Sequence, residues 1–309
     1  MPKLYRNAGL AIKIETTSGT DSVPTPAANA MLVRNFTWNP IEMTVESRDL
    51  VRAYLGNSED IVVAKYITFD FEIEMAGSGA AGTAPGYDAM MRFCGHSKTT
   101  NAGVSTVYAP ISSGFETCSV YCNLDGLLHK SVFAMGKLAW DLSPGKIPVW
   151  KVSAKGLFVP LSDTTVWSPV YSAFQKPVAV NKQNTTASLH GISAAIETYN
   201  VDSAAQIEYR NLINLEEVRY TDRKPVGNIS LEMTSVAVKD WLTTVANATT
   251  GALNTVHGLS AGNIIQIDCP NVQITQPKYA NSQGIAMLSG GLKLNPGSAG
   301  NDEYTITVR

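Results

Sequence analysis

Short runs of alternating apolar and polar side chains predict a chain built mainly of β-strands. In the clearest run, residues 67–75, every second residue is apolar and the residues between them include Asp70, Glu72 and Glu74. Successive strand side chains point to opposite faces, so these carboxylates must lie opposite the core. A one-residue slip would bury all three, which fixes the orientation. Similar runs are residues 10–15, 31–38, 138–142, 149–159, 228–234, 264–267, 284–294 and 304–308.

Only two stretches have the apolar spacing of a helix. They are Tyr87, Met90, Met91 and Cys94 in the first stretch, and Val238, Trp241, Leu242 and Val245 in the second. Pro85 suits the start of the first helix, and Thr234 or Ser235 could cap the second. Two short helices among many strands predict β-sandwich or barrel units, each covered by one helix.

The two halves of the chain resemble each other in order, which predicts an internal duplication. The matched segments are 31–39 with 192–200, 71–75 with 229–233, the helix at Tyr87 with the helix at Val238, and 150–157 with 285–292. The offset shrinks from 161 to 135, and a Gly-rich insert at 76–86 and a longer segment at 95–130 account for the steps. Such insertions fall in surface loops. We predict a first domain at 1–162, a linker or arm at 163–190 and a second domain at 191–309.

Composition gives no indication of a charged ligand or a membrane. The 309 residues carry 24 basic and 26 acidic side chains, without a Lys/Arg cluster of the kind that binds nucleic-acid phosphates. No run approaches the roughly 18 apolar residues of a membrane helix, and the N-terminus lacks the apolar core of a signal peptide. We therefore expect synthesis in a cytoplasm, with all four cysteines reduced.

The residues that usually carry chemistry form no recognisable motif. None of the four histidines has a metal partner at a recognised short spacing, and the pair Cys118 and Cys122 is a weak zinc signal. No nucleophile elbow, Walker loop or dinucleotide fingerprint is present. Asp70, Glu72 and Glu74 could supply two carboxylates for glycoside hydrolysis, but a solvated sheet face explains them better. We predict no enzyme activity, no cofactor and no metal site.

Two interpretations of the acidic face stay open from the residues alone. Asp70, Glu72 and Glu74 in the first half, with Glu232 in the second, could line a channel whose negative charge repels passing DNA. The same carboxylates could form an ordinary solvated face, which is the interpretation that the residues alone favour.

The order of these segments resembles the major tail (tail tube) proteins of long-tailed, siphovirus-type bacteriophages. The segments that carry the resemblance are 6–15, 31–39, 42–55 and 67–75 with the helix that follows. The resemblance implies a β-sandwich with one helix that assembles into rings, whose inner sheets form one barrel around a lumen. It also implies lumen-facing acidic residues, here Asp70, Glu72, Glu74 and Glu232, and loops that contact the next ring.

Several expectations about assembly follow from this resemblance. The simplest members carry one copy of the fold and form hexameric rings, so two copies suggest a trimeric, pseudo-hexameric ring, with a hexamer as the alternative. The expected partners are other copies of the chain, tail terminator, tail-tip and tape measure proteins, and DNA that passes without sequence-specific binding. We expect assembly in the host bacterial cytoplasm and a place in the virion tail, without a membrane. The expected inter-ring contacts are Arg48, Asp49, Arg52, Tyr54, Leu55, Glu59 and Asp60.

One further function of a different class stays open besides an unrecognised hydrolase. A carbohydrate-binding or adhesin-like β module of the virion, such as a decoration or tail-tip protein, would present Trp and Tyr side chains together at one end. The five tryptophans fall mostly within predicted strands, a helix or the linker, which favours the tail tube interpretation.

Overall fold

The computed structural model describes residues 2–309 and consists mainly of antiparallel β-strands. The first nine are β1 (Ala8–Ile14), β2 (Ala30–Met31), β3 (Arg34–Ser47), β4 (Asp60–Glu74), β5 (His96–Asn101), β6 (Ser105–Pro110), β7 (Cys118–Leu124), β8 (Leu127–Asp141) and β9 (Val149–Asp163). The others are β10 (Thr185–Leu189), β11 (Ile196–Asp202), β12 (Gln206–Leu212), β13 (Leu215–Asp222), β14 (Val226–Glu232), β15 (Thr250–His257), β16 (Ile265–Ser282), β17 (Ile285–Leu294) and β18 (Thr305–Val308). The helices are α1 (Asp88–Phe93) and α2 (Trp241–Ala246), which confirms the predicted β fold with two short helices.

Two groups of four strands have the same order. The first sheet unit runs β3-β4-β9-β8 and the second sheet unit runs β11-β14-β17-β16. A helix follows the second strand of each unit, and β7 pairs with β8 as β15 pairs with β16. Phe71 and Ile229, matched in the sequence, both lie on the second strand of their unit. This order is what a duplication requires, and the duplication and the domain boundaries stay predictions.

The strand partners change two of the offsets taken from the sequence. Phe71 pairs with Val152, and Ile229 pairs with Gly290, so the offset between β9 and β17 is 138 rather than 135. Likewise Asp70 pairs with Thr37 and Asn228 pairs with Asn200, which gives 163 rather than 161 for β3 and β11. Bulges in β3 and β11 produce register steps, which an ungapped comparison of short segments cannot detect. The pairings of β9 with β4 and of β17 with β14 contain no such step.

The region between the two units is only partly a linker. Strand β9 continues to Asp163, and residues 164–184 contain turns but no strand. The end of the predicted 163–190 linker forms β10, which pairs with β15 of the second half. The two units are also joined directly, because β8 pairs with β11.

Alternation along β4 gives the core that the sequence predicts. Phe69, Phe71 and Ile73 are buried, and they belong to one apolar cluster that extends through both sheet units. Each helix adds buried side chains to it, among them Met90 from α1 and Trp241 from α2.

The cap predicted for α2 is wrong. Neither Thr234 nor Ser235 caps it, because the helix begins later and Asp240 accepts a hydrogen bond from Thr243 N at 2.9 Å. Thr234 accepts a hydrogen bond from Trp241 Nε1 instead, at 3.0 Å.

A buried histidine makes stability depend on pH. His96 lies between the Met91 carbonyl oxygen, 2.9 Å from Nδ1, and the Tyr304 hydroxyl, 2.8 Å from Nε2. Burial lowers the pKa of His96 to about 4, against an ordinary value of 6.5. The unfolded chain therefore binds this proton first, so the free energy of unfolding falls as pH decreases from about 6.5 towards 4.

We expect this effect to be on the order of 2–3 kcal/mol between pH 7.5 and 4.5. Urea unfolding of the wild type and of His96→Gln at both pH values measures it. The variant should lose most of the difference, and an unchanged difference would assign acid sensitivity to other groups.

Candidate functional site: a polar sheet face and two open strand edges

The three carboxylates of β4 lie on the sheet face opposite the core. Asp70 is exposed, Glu72 and Glu74 are half-buried, and the intervening Phe71 and Ile73 are buried. Their orientation relative to the core is therefore as the alternation predicted. That this face lines a lumen stays a prediction.

Basic side chains from neighbouring strands share this face. Arg34 on β3 places Nε 3.2 Å from Glu72 Oε2 and Nη1 3.8 Å from Glu74 Oε1. Lys151 on β9 is the strand partner of Glu72, and its Nζ lies 3.6 Å from Asp141 Oδ2. The face is therefore of mixed charge, because it carries basic residues of β3 and β9 that were not predicted beside the expected carboxylates.

The polar face continues into the second sheet unit across the joint, which is the pairing of β8 with β11. Lys137 of β8 lies 3.4 Å from Asp202 of β11, between Nζ and Oδ2. Beyond the joint the face carries Asn228 and Glu232 on β14, both exposed, and Lys293 on β17. Glu232 thus lies on the second strand of its unit, as Asp70, Glu72 and Glu74 do in theirs, although its surroundings carry fewer charges.

Strands β3 and β4 extend past the sheet over residues 43–65, and this segment is the exposed hairpin. Its loop, residues 48–59, contains no regular structure. The first and last residues of the loop, Arg48 and Glu59, form an ion pair with 2.5 Å between Nη1 and Oε1. Arg52 lies over the ring of Tyr54, 5.9 Å from its centroid. Asp49 accepts a hydrogen bond from Ser47. Asp60, assigned to this loop in the sequence, is instead the first residue of β4.

This hairpin presents many apolar side chains to solvent. In the loop, Val51 and Leu55 are fully exposed and Tyr54 is 69% exposed. The exposed apolar residues of its two strands are Met43, Val45, Ile61, Val62 and Val63. Exposed apolar side chains in this number are typical of surfaces that contact another protein.

A second hairpin, β12–β13, folds back onto the first sheet unit and was missed in the sequence. Ile207 and Val218 belong to a small apolar cluster with Met135 of β8. Tyr209 stacks on Tyr66 of β4 with ring centroids 4.8 Å apart. In chain order, β12 and β13 come between β11 and β14, the first two strands of the second unit, as the loop of the exposed hairpin comes between β3 and β4 in the first.

The joint uses the β8 edge of the first unit and the β11 edge of the second unit. The strands in the same places of the other unit, β16 and β3, have open edges. At the joint, Leu142 N donates to Tyr199 O at 3.0 Å and Ser203 N donates to Leu138 O at 2.9 Å. Within residues 2–309, β3 pairs only with β4, and β16 pairs only with β17 beyond Gln273. Open edges of this length are templates for pairing with another chain.

The groups that could carry chemistry are dispersed or buried. In the described part of the chain, 2–309, no group of three or more His, Cys, Asp or Glu side chains is placed to hold a metal ion. All four cysteines are free and buried, and burial raises the pKa of the Cys94 and Cys118 thiols, which keeps them protonated. Trp140, Trp150 and Trp241 are core residues, unlike the exposed aromatics of a carbohydrate site.

None of the helices in residues 2–309 has the length and apolar character that crossing a membrane requires.

Comparison with known proteins identifies the family. No curated protein matches the chain significantly. The model of a family described as phage tail tube protein matches residues 6–289 of the 309. This range includes the first sheet unit, both helices, the exposed hairpin and the second sheet unit as far as Ser289 in β17. A structural role in the virion agrees with the mainly β fold and its open edges. The chain self-assembles into a tube with other tail components, as its family implies. It therefore belongs to the phage tail tube protein family and is a structural component of the virion tail.

Proposed function

We propose that the protein polymerises as stacked rings whose sheets close around a channel for DNA ejection. The observation that carries this proposal is the joint between β8 and β11, where two four-stranded units of the same order pair edge to edge. The same pairing between copies would continue the sheet around a ring. Closure would also satisfy the edges that each chain leaves open.

The proposed ring contains three chains. Two equivalent units per chain would give six sectors, the number that the hexameric rings of simpler tail tube proteins supply with six chains. This count rests on the two halves being copies of one fold, which the shared strand order supports.

The polar face is proposed to line the channel, with Asp70, Glu72, Glu74 and Glu232 among its charges. Carboxylates there would repel DNA phosphates, and the nearby Arg34 and Lys151 would limit the strength of that repulsion. DNA would then pass without sequence-specific binding. The protein would act through this surface and not as an enzyme.

The exposed hairpin is proposed to contact the next ring through its loop, 48–59, and the adjoining Asp60. Its exposed apolar side chains support a contact with protein rather than with solvent. The ends of the tube would meet the tail terminator and tail-tip proteins, and the channel would hold the tape measure protein before ejection. Assembly would take place in the host bacterial cytoplasm, in a phage of the siphovirus type.

Electron microscopy and native mass spectrometry of the purified protein test this proposal together. We expect tubes with a central channel and ring species of three chains. Six chains per ring would contradict the trimer, and a protein that stays monomeric at high concentration would contradict polymerisation.

A further inference from the structure

The joint within the chain has a defined register and a buried aromatic centre. Asn200 lies opposite Asp141, Val201 opposite Trp140 and Asp202 opposite Ala139. Trp140 is 1% exposed, and its Nε1 donates a hydrogen bond to the Tyr199 hydroxyl at 3.3 Å. The joint is therefore both a strand pairing and an apolar contact.

Strand partners identify the residues that hold the same positions on the open edges. On the fourth strand of each unit, Trp140 pairs with Trp150 and Tyr279 pairs with Leu288. Trp150 and Leu288 differ by the 138 residues that relate β9 to β17, so Tyr279 corresponds to Trp140. The 163-residue offset between β3 and β11 makes Thr37 the counterpart of Asn200, and Trp38 that of Val201.

We infer that β3 of one copy pairs antiparallel with β16 of the next in the register of the internal joint. Thr37 then lies opposite Ala280, Trp38 opposite Tyr279 and Asn39 opposite Lys278. This inference rests on the proposed ring, and it specifies which residues of two copies meet.

Exposure of the two aromatic counterparts supports this register. Tyr279 is 68% exposed, although it corresponds to Trp140, which is 1% exposed. Trp38 is half-buried and stacks on Phe69 with ring centroids 5.2 Å apart, so it lies on the core face. Pairing in this register places Tyr279 beside Trp38 on that face. It would bury an aromatic side chain that the single chain leaves in water.

A proline lies in each of the two proposed partner strands, Pro40 in β3 and Pro277 in β16, and the two would lie opposite each other at the end of the pairing. In the internal joint, Ser203 N–H donates to the Leu138 carbonyl oxygen. By the same offsets, Pro40 takes the place of Ser203, and Pro277 lies at the level of Leu138, at the bulge of β16. Neither proline has an N–H, so neither strand can donate a backbone ladder hydrogen bond at this level. The two open edges therefore have matching ends.

Disulfide formation between copies tests the register. In the double variant Thr37→Cys with Ala280→Cys, the new thiols would lie directly opposite each other across the joint. Mild oxidation of assembled protein should link the chains into covalent multimers that reduction separates. The control pair is Thr37→Cys with Ser282→Cys, whose second position lies two residues further along β16 on the same face. It should form at least tenfold less cross-link than the 37/280 pair. The native cysteines are all buried, which keeps the background low.

A reference cysteine pair across the internal joint distinguishes failure of the inferred register from failure of the ring proposal. Asp141→Cys with Asn200→Cys should form a disulfide within one chain, which shows that the chemistry works in this geometry. If this pair forms, tubes assemble and the 37/280 pair stays reduced, the inferred joint is overturned while the ring proposal stands. If the wild type forms no oligomer, the ring proposal itself fails.

A single substitution provides an independent test. Tyr279→Asp should fold as the wild type does, since the side chain is exposed, but should lower tube formation at least tenfold by placing a charge in the joint. Leu259→Asp is the matched control, because Leu259 is 71% exposed and lies in the turn between β15 and β16, away from both edges. Equal assembly of the two variants would overturn the inference.

Discussion

A chain that lacks residues 50–58 is expected to fold normally and to remain unable to form tubes. Ser47 and Asp60 are strand partners at the end of the hairpin, so the deletion leaves the three residues Arg48, Asp49 and Glu59 as its turn. Antiparallel hairpins accept turns of this length. Val51 and Leu55 are fully exposed, so their removal takes nothing from the core. Thermal unfolding and negative-stain microscopy measure the two outcomes.

Substitutions within the loop distinguish the effect of its apolar side chains on assembly from the effect of its length. Val51→Ser with Leu55→Ser should reduce assembly in the same direction as the deletion. The control Val104→Ser with Leu259→Ser changes two other exposed apolar residues, which are 63% and 71% exposed. Normal tubes from the deletion would show that the loop makes no contact needed for stacking.

Replacing Asp70, Glu72 and Glu74 together by Lys is expected to permit tube assembly and to impair DNA release. The reversed charges would join Arg34 and Lys151 on the polar face and hold passing phosphates electrostatically. The lost ion pairs to Arg34 are partly exposed, so their loss should cost roughly 0.2–1 kcal/mol each. We expect infectious titre to fall on the order of tenfold or more while virion number changes little.

A neutral variant distinguishes charge from shape in this experiment. Asp70→Asn with Glu72→Gln and Glu74→Gln keeps side-chain size and removes only the negative charge. Complementation of a phage that lacks this gene, with counts of virions and of released DNA, compares the two variants. Raised salt should partly restore release by the Lys variant if phosphate binding is the cause. Wild-type infectivity of the Lys variant would place these carboxylates outside the channel.

The strands that the sequence predicts best are those with one apolar and one polar face. Strand β4 is the clearest, since Phe69, Phe71 and Ile73 alternate with carboxylates and all three are buried. The β12–β13 hairpin escaped prediction because its polar residues outnumber the few, such as Ile207 and Val218, that pack on another unit. Its burial depends on tertiary contact and not on local pattern.

The charge of the polar face could not be predicted from one strand. Arg34 precedes Glu72 by 38 residues and Lys151 follows it by 79, yet β3 and β9 flank β4 and place both beside it. The strand order that creates these neighbours is a property of the whole sheet. In the same way, the open edges of β3 and β16 become apparent only when every other pairing is known.

A cryo-EM map of assembled tubes would show whether the paired sheet units form a closed channel wall. We expect three chains per ring, each contributing β3, β4, β9, β8, β11, β14, β17 and β16 to one continuous barrel. We also expect that β3 pairs with β16 of the next chain and that Asp70, Glu72 and Glu74 face the lumen. A map in which β3 and β16 stay unpaired, or in which these carboxylates lie on the outer surface, would contradict this expectation.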